Sequence, residues 1–334
     1  MAFCSAKSLR YVQPLAAALA IFGTGFFAAG ASAQTYPNRV VKIIVLTPAG
    51  DGTDVVARAV AAKLSARFGQ TFIIENRTGG GGLIAGNEAL VKSAPDGYTL
   101  AVGHTGSHGI SPAVYTKLPY DLKKDQTPIS LISRTPNVFV INPALPIRSV
   151  EEFIAYAKTR PKQLNFGSGG NASSAHMSGE LFKNMAKVDV VHVPYRGGSL
   201  ALADVVAGQV QFFIGNIPPA LPYITSGKLR ALAVTSDKRW PDLPSVPTMD
   251  ESGLRGYETW GWAALYGPAG LPPAITRTLS TEVANAVKSP DLSERLLKQG
   301  LEPIGSTPEE LAAFMDSDIA RWKKVAAESQ ISLD

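Results

Sequence analysis

Four short segments rich in glycine, serine and threonine carry the groups best placed to do chemistry. They are Thr47-Pro48-Ala49-Gly50-Asp51-Gly52-Thr53-Asp54, Thr78-Gly79-Gly80-Gly81-Gly82, Gly103-His104-Thr105-Gly106-Ser107-His108 and Gly167-Ser168-Gly169-Gly170-Asn171-Ala172-Ser173-Ser174, the last leading into His176. Glycine lets the backbone approach a ligand closely, serine and threonine hydroxyls both donate and accept, and the open amides of a helix start attract anions. That chemistry is the capture of a small acid, with no bond made or broken. Each segment alone also fits a plain turn capped by Ser, Thr or Asp. Four of them at strand-to-helix handovers argue for one shared cleft, because ligands of open parallel sheets sit beyond the carboxyl ends of the strands.

Signatures of catalysis fall short. Gly167 to Ala172 fits G-x-G-x-x-A after a strand, a weak pattern. His104 and His108 stand four apart, but the Thr-Gly-Ser between them is loop-like and the Glu of H-E-x-x-H is missing. No G-x-S-x-G frame surrounds Ser107. A serine hydrolase acting through Ser107 or Ser168 with His108 or His176 needs a base within about 3 Å of the hydroxyl and an orienting acid, and no third partner is evident. His176 and His192 read as hydrogen-bonded core or cleft histidines. No catalytic residue, cofactor or metal is expected.

The elements that must position these segments form an alternation of apolar β-rich runs and helix-length stretches. Strands are expected at Val40 to Val45, Thr71 to Glu75 and Tyr98 to Val102, with helices at Asp54 to Phe68 and Leu83 to Ser93. A second series has helices at Glu151 to Thr159, Ser174 to Ala186 and Ser199 to Ala207, and strands at Leu164 to Gly167, Val188 to Val193, Val210 to Ile214 and Leu229 to Val234. Three helices close the chain at Ala274 to Lys288, Asp291 to Gln299 and Pro308 to Ser329. Strands separated by helices predict parallel sheets covered on both faces. The chain is expected to pass between the two units twice, along Ile129 to Val140 and Tyr257 to Gly267, which makes a hinge. Residues 34–137 with 259–334 then form one domain and 138–258 the other, with the ligand cleft between them. Trp260 and Trp262 fall in the second crossing and read as cleft or hinge packing; with Trp240 they are also candidates for a partner surface.

The first 33 residues read as an export leader: Lys7 and Arg10, an apolar run from Pro14 to Ala29 broken by glycines, and Ala31-Ser32-Ala33 before Gln34. The run is short for a membrane span, so a cleaved signal and no membrane insertion of the mature chain are expected. The one cysteine, Cys4, leaves with the leader, so the mature chain has no disulfide, thiol nucleophile or thiolate metal site. About 300 remaining residues, 45% hydrophobic over the full chain, suffice for two domains. The formal charge of +5 falls by two, to +3, when Lys7 and Arg10 are removed, which is too mild to argue for nucleic acid.

The order of motifs from Tyr36-Pro37 to Ile331-Ser332-Leu333-Asp334 resembles the periplasmic solute receptors of tripartite tricarboxylate transporters, the Bug receptors. The resemblance is carried by Pro48 to Asp54 with Val55-Val56-Ala57-Arg58, Glu75-Asn76-Arg77-Thr78-Gly79, Ala94-Pro95-Asp96-Gly97-Tyr98, Leu118-Pro119-Tyr120-Asp121, His192-Val193-Pro194-Tyr195-Arg196-Gly197, Leu229 to Thr235 and Val246-Pro247-Thr248. It implies a two-lobed α/β periplasmic binding protein of the type II kind, with two doubly wound sheets joined by two crossing strands. It also implies a monomer that closes on a small carboxylate and serves the membrane subunits of a secondary transporter. Carried over, Thr47, Pro48, Ala49, Gly50, Asp51, Gly52, Thr53, Thr78, Gly80, Gly81 and Gly82 would line one wall, with Thr105 and Ser107 nearby. Ser168, Gly169, Ser173 and His176 would line the other, with Tyr195 and Asn216 at its edge.

Departures from the family pattern bear on the ligand. Leu46-Thr47 replaces the usual Pro-Phe, Asp51 an expected Gly, and Ile214-Gly215-Asn216 the usual Phe-Asp-Asn. Losing that acid removes a counter-ion for a ligand ammonium, which argues against an amino acid. Trading Phe for Thr and Asp for Gly is expected to free volume for an aromatic mono- or dicarboxylate. Asp51 argues against a highly charged ligand such as citrate unless its side chain turns away as a helix cap. A C4-dicarboxylate or citrate receptor, or a receptor signalling to a sensor kinase, remains the alternative, with an exported serine hydrolase the remote one.

Overall fold

The strand β1 (Val41–Val45) is Val-Lys-Ile-Ile-Val, four of whose five residues are buried. Such a run belongs in the middle of a parallel sheet covered on both faces. It lies between β2 (Phe72–Asn76) and β3 (Thr99–His104), parallel to both. The structure, a computed structural model, describes residues 36–78 and 84–333. The leader read at 1–33 and the glycines Gly79 to Gly82 lie outside the described residues.

Helices α1 (Gly52–Phe68) and α2 (Ile84–Val91) connect these strands. After β3 come a π-helical turn at Thr105–Ile110 and the short α3 (Ser111–Val114), where the sequence suggested a loop. Then follows β4 (Gln126–Ile141), a 16-residue strand along the first expected crossing. The second series is α4 (Val150–Lys158), β5 (Asn165–Ser168), α5 (Ser174–Ala186), β6 (Val191–Pro194), α6 (Gly198–Val206), β7 (Phe212–Asn216), α7 (Ile217–Thr225) and β8 (Arg230–Val234). The chain ends with β9 (Trp260–Pro268), α8 (Pro273–Lys288), α9 (Pro290–Lys298), β10 (Glu302–Pro303) and α10 (Pro308–Glu328). Helix α7 escaped the sequence reading because Ile217-Pro218-Pro219 looks like a break. Proline is in fact tolerated in a first helical turn, where its missing N–H has no partner to lose.

One curled mixed sheet runs β2-β1-β3-β9-β4-β7-β5-β6, with β8 and β10 also on β4. Residues 126–136 of β4 pair with β9, and residues 137–141 pair with β7 and β8. This strand therefore belongs to both halves of the sheet. At the changeover, Asn137 donates its backbone N–H to Thr235 Oγ1 (2.8 Å), and Thr235 Oγ1 donates to the Thr259 carbonyl (2.6 Å) just before β9. The two passages of the chain are thus stitched side by side by fully buried polar groups. Each half has its own core. Val56, Val60 and Leu64 of α1 pack with Leu279 and Val283 of α8 in the first, and Phe139, Phe153, Phe166, Phe182 and Phe212 cluster in the second. Tyr36 to Asp334 nonetheless forms one compact unit. Among the described residues no helix is long and apolar enough to cross a membrane.

Candidate functional site

A cleft of about 730 Å³ opens beyond the carboxyl ends of β1, β3, β5, β6 and β7, and β4 and β9 form its floor. Four helix starts and the π-helical turn converge on it, so its polarity comes largely from backbone amides. Asp51 is the one Asp, Glu, Lys or Arg among its described lining residues.

The first helix start is largely self-satisfied. Asp51 Oδ1 accepts from the Thr53 N–H (3.0 Å) as the cap of α1, which answers how that carboxylate is oriented. Buried Asp54 accepts from the Gly50 N–H (2.9 Å), Arg58 Nε (2.8 Å) and Asn76 Nδ2 (2.8 Å). Burial raises its pKa, but those hydrogen bonds together hold it below the usual carboxylate range. Thr47, Gly50, Asp51, Gly52 and Thr53 line the cleft; Pro48 and Ala49 stand exposed outside it, as does Thr78.

The segment from Gly103 to His108 is a capped, buried π-helical turn. Ser107, expected to touch ligand, is completely buried: it accepts from the His104 N–H (3.0 Å) and lies 2.8 Å from His108 Nδ1. His108 Nε2 is 2.9 Å from Gln126 Oε1, an amide where a catalytic triad needs an acid. The base is in place, but the hydroxyl is sealed from the cleft. Thr105 does line the cleft, yet its hydroxyl donates to the Trp260 carbonyl (3.2 Å) and accepts from the Trp262 N–H (2.9 Å), tying the turn to β9.

Helices α5 and α6 form the opposite wall. Gly169 and Ser173 line it, joined by Ser174 of the same segment, by Gly197 at the end of the His192 to Gly197 motif, and by Gly198 and Ser199, which are not among the candidate ligand residues. Gly197, at φ 150°, adopts a conformation open to glycine, and no side chain caps α6 behind it. Ser168, His176 and Tyr195 support this wall from behind. Ser168 Oγ is 2.6 Å from His192 Nε2, His176 stacks on His192 at 3.9 Å, and Tyr195 donates to Asp204 (2.6 Å). The polar direction of Ser168 and Tyr195 is set by partners 24 and 9 residues away, which no local pattern reveals.

Asn216 ends β7 at the cleft, and a side chain at Gly261 would lie 2.6 Å from its Oδ1, so glycine there makes room for it. The space expected to be freed at Gly215 is already filled, because a Cβ there would lie 2.3 Å from the Phe213 ring. Phe213 itself lines the cleft, as does a second aromatic residue, Trp262 on β9. The expectation for Trp262 is cleft or hinge packing, with a partner surface as the alternative, and it lines the cleft. Ser133 and Thr135, two apart on β4, also reach the cleft, a period-2 signal that was available in the sequence.

Trp262 is held by Asp318 of α10, whose Oδ2 accepts from the indole N–H at 2.9 Å. Burial raises the pKa of Asp318, against weaker opposing pulls from Trp262 and Arg321. The native state therefore favours the protonated acid: its contribution is full at low pH and is lost as pH rises through the native pKa. Asp318→Asn keeps an acceptor for Trp262 without a charge to bury. It is expected to raise the melting temperature by about 2–4 °C at pH 7.5, from roughly 1 kcal/mol, with the gain fading toward pH 4 in scanning calorimetry.

Residues 56–331 match the family model described as TctC, tripartite tricarboxylate transporter family receptor. Protein BugT of Bordetella pertussis is 36% identical over 321 residues, covering 96% of this chain and 98% of BugT. The solved structure of R. palustris Rpa4515 with adipate is 39% identical, with a TM-score of 0.80 over 89% of this chain and 99% of that one. MatC (Rpa3494) from Rhodopseudomonas palustris with bound malate is 34% identical, with a TM-score of 0.76 over 87% and 99%.

Proposed function

The chain belongs to the tripartite tricarboxylate transporter receptor family, and we propose that it is a periplasmic receptor that closes two lobes on a small carboxylate and delivers it to the membrane subunits of a secondary transporter. The observation that carries this reading is a cleft walled by helix starts from both halves of the sheet and lined by neither Lys nor Arg among the described residues. Unpaired amides and hydroxyls then take the acid group. The lobes are residues 34–137 with 259–334 and residues 138–258, hinged where β4 changes partners at Asn137. Ligand contacts from both lobes give the closed form its differential affinity, without which no ligand can drive closure. Residues 1–33 are a leader removed on export, and the mature receptor acts as a monomer without a cofactor. The buried Ser107–His108 pair and the half-buried Ser168–His192 pair act as wall supports rather than as a catalytic site.

The adipate and malate in the related structures set the ligand class. Phe213 and Trp262, one from each half, favour a ligand with a flat apolar body, an aromatic mono- or dicarboxylate. A thermal-shift panel of benzoate, terephthalate, adipate, malate and citrate tests this. An acid at 100 times its Kd adds about 2.7 kcal/mol, and a rise of about 5 °C or more is expected for the aromatic acids. Stabilisation by malate or adipate alone defeats the aromatic assignment. No shift with any acid defeats the receptor reading.

A further inference from the structure

The cleft carries an acid on one wall and no cation to balance it. Asp51 lines the α1 wall and is exposed there, while the described lining residues include neither Lys nor Arg. Its Oδ1 accepts from the Thr53 N–H, which leaves the second oxygen without a partner among the described residues. The cations of α1 are engaged elsewhere: Arg58 with Asp54, Lys63 with Asp291 and Arg67 with Glu282. The field of Asp51 reaches into the cleft wall, since at His104, whose pKa burial lowers, Asp51 supplies the opposing pull.

The opposite wall has the reverse character. Helix α6 begins behind Gly197 without a side-chain cap, so its first amides and the positive end of its dipole are open where Gly198 and Ser199 line the cleft. A ligand that touches both walls therefore meets donors on one and an acid on the other. A carboxylate is favoured at α6 and repelled at Asp51, where a cation is favoured. A neutral group at that end leaves the Asp51 carboxylate without a partner as closure removes water from it.

Resting on the receptor reading above, we propose that Asp51 is a specificity-determining residue: it receives a cationic group at the end of the ligand remote from the carboxylate. The preferred ligand is therefore an amino acid whose ammonium stands several atoms from its acid group, rather than a dicarboxylate of equal length. An α-amino acid does not fit this arrangement, because it places both charges at one end. Asp51 also acts against the wrong ligand, since a second carboxylate beside it is like-charged. Both contacts form together only when the lobes close, which gives the doubly charged ligand its preference for the closed state.

Isothermal titration at pH 7.5 with two series tests the assignment: 4-methylbenzoate, 4-(aminomethyl)benzoate and terephthalate, and hexanoate, 6-aminohexanoate and adipate. In at least one series the amino acid is expected to bind about fivefold more tightly than its neutral companion, with the dicarboxylate weakest. In Asp51→Asn that advantage shrinks to within about twofold, and the dicarboxylate gains about threefold or more. Asparagine is a good helix cap, so the variant keeps the fold, with a melting temperature within about 2 °C of the wild type; Asp51→Ser, another good cap, supplies a second variant. A neutral acid or a dicarboxylate that binds most tightly in both series, or an order that both variants leave unchanged, overturns the assignment while leaving the receptor reading intact. Failure of all six acids overturns the assignment, and the receptor reading falls with it if malate and citrate also fail to bind.

Discussion

Ser199→Asp is expected to abolish carboxylate binding while leaving the protein folded and slightly more heat-stable. Ser199 lies in the first turn of α6, exposed toward the cleft behind the uncapped Gly197. An aspartate there satisfies the open amides and complements the helix dipole, a gain of about 0.3–1 kcal/mol. The same charge occupies the position a ligand carboxylate needs. Two like charges about 4 Å apart repel by about 4 kcal/mol at an effective dielectric near 20, so a loss of at least about a hundredfold in affinity is expected. Ser199→Asn, similar in size and neutral, should stay within about threefold of wild type. Titration calorimetry with the acid that most stabilises the wild type, paired with thermal melts, gives both signs at once. An aspartate variant that binds as the wild type does would place the anion elsewhere.

Acid should unfold this protein well above the pH at which its carboxylates titrate. All four histidines have pKa values lowered chiefly by burial: His104 to about 4, His108 to about 3, His176 to about 4 and His192 to about 3. An unfolded histidine titrates near 6.5, so the unfolded chain takes up protons first. The stability due to neutral burial is therefore complete above about pH 6.5 and is lost as pH falls toward about 4. Each group loses about 2 kcal/mol by pH 5, and four together at most about 8 kcal/mol, reduced by the partial exposure of His104 and His192. Against a typical 5–15 kcal/mol for a whole domain, that is decisive. Asp54, held low by its hydrogen bonds, weakens the fold only at still lower pH, so the two windows separate. Urea midpoints at pH 7.5, 6.5 and 5.5 should fall steeply, and a constant midpoint over that range contradicts the burial of these rings. The losses fall on the walls themselves, since His108 backs the β3 side and the stacked His176 and His192 back the α5 side.

The alternation of strands and helices was legible because each connection is local: α5 begins where Ser173 caps it, and β1 reads as buried from five consecutive residues. Three of the four loops named in the sequence contribute residues to the cleft wall for the same reason. The direction of the side chains inside them was not legible. Ser107, Ser168 and His176 have the right chemistry but turn inward to His108, His192 and the Ala172 N–H. Meanwhile Phe213 fills the space that Gly215 was expected to leave.

By itself, then, the sequence determined the α/β class, several of the handovers that line the cleft and the absence of any thiol from the chain after Cys4. These follow from residue type and short-range periodicity. Only the tertiary structure decided which hydroxyls and rings meet the cleft, that Asp51 caps α1, and that Trp262 is fixed by Asp318, 56 residues away. A side chain's chemistry is written in its own residue. Its direction depends on which distant partner removes the cost of burying its polar atoms.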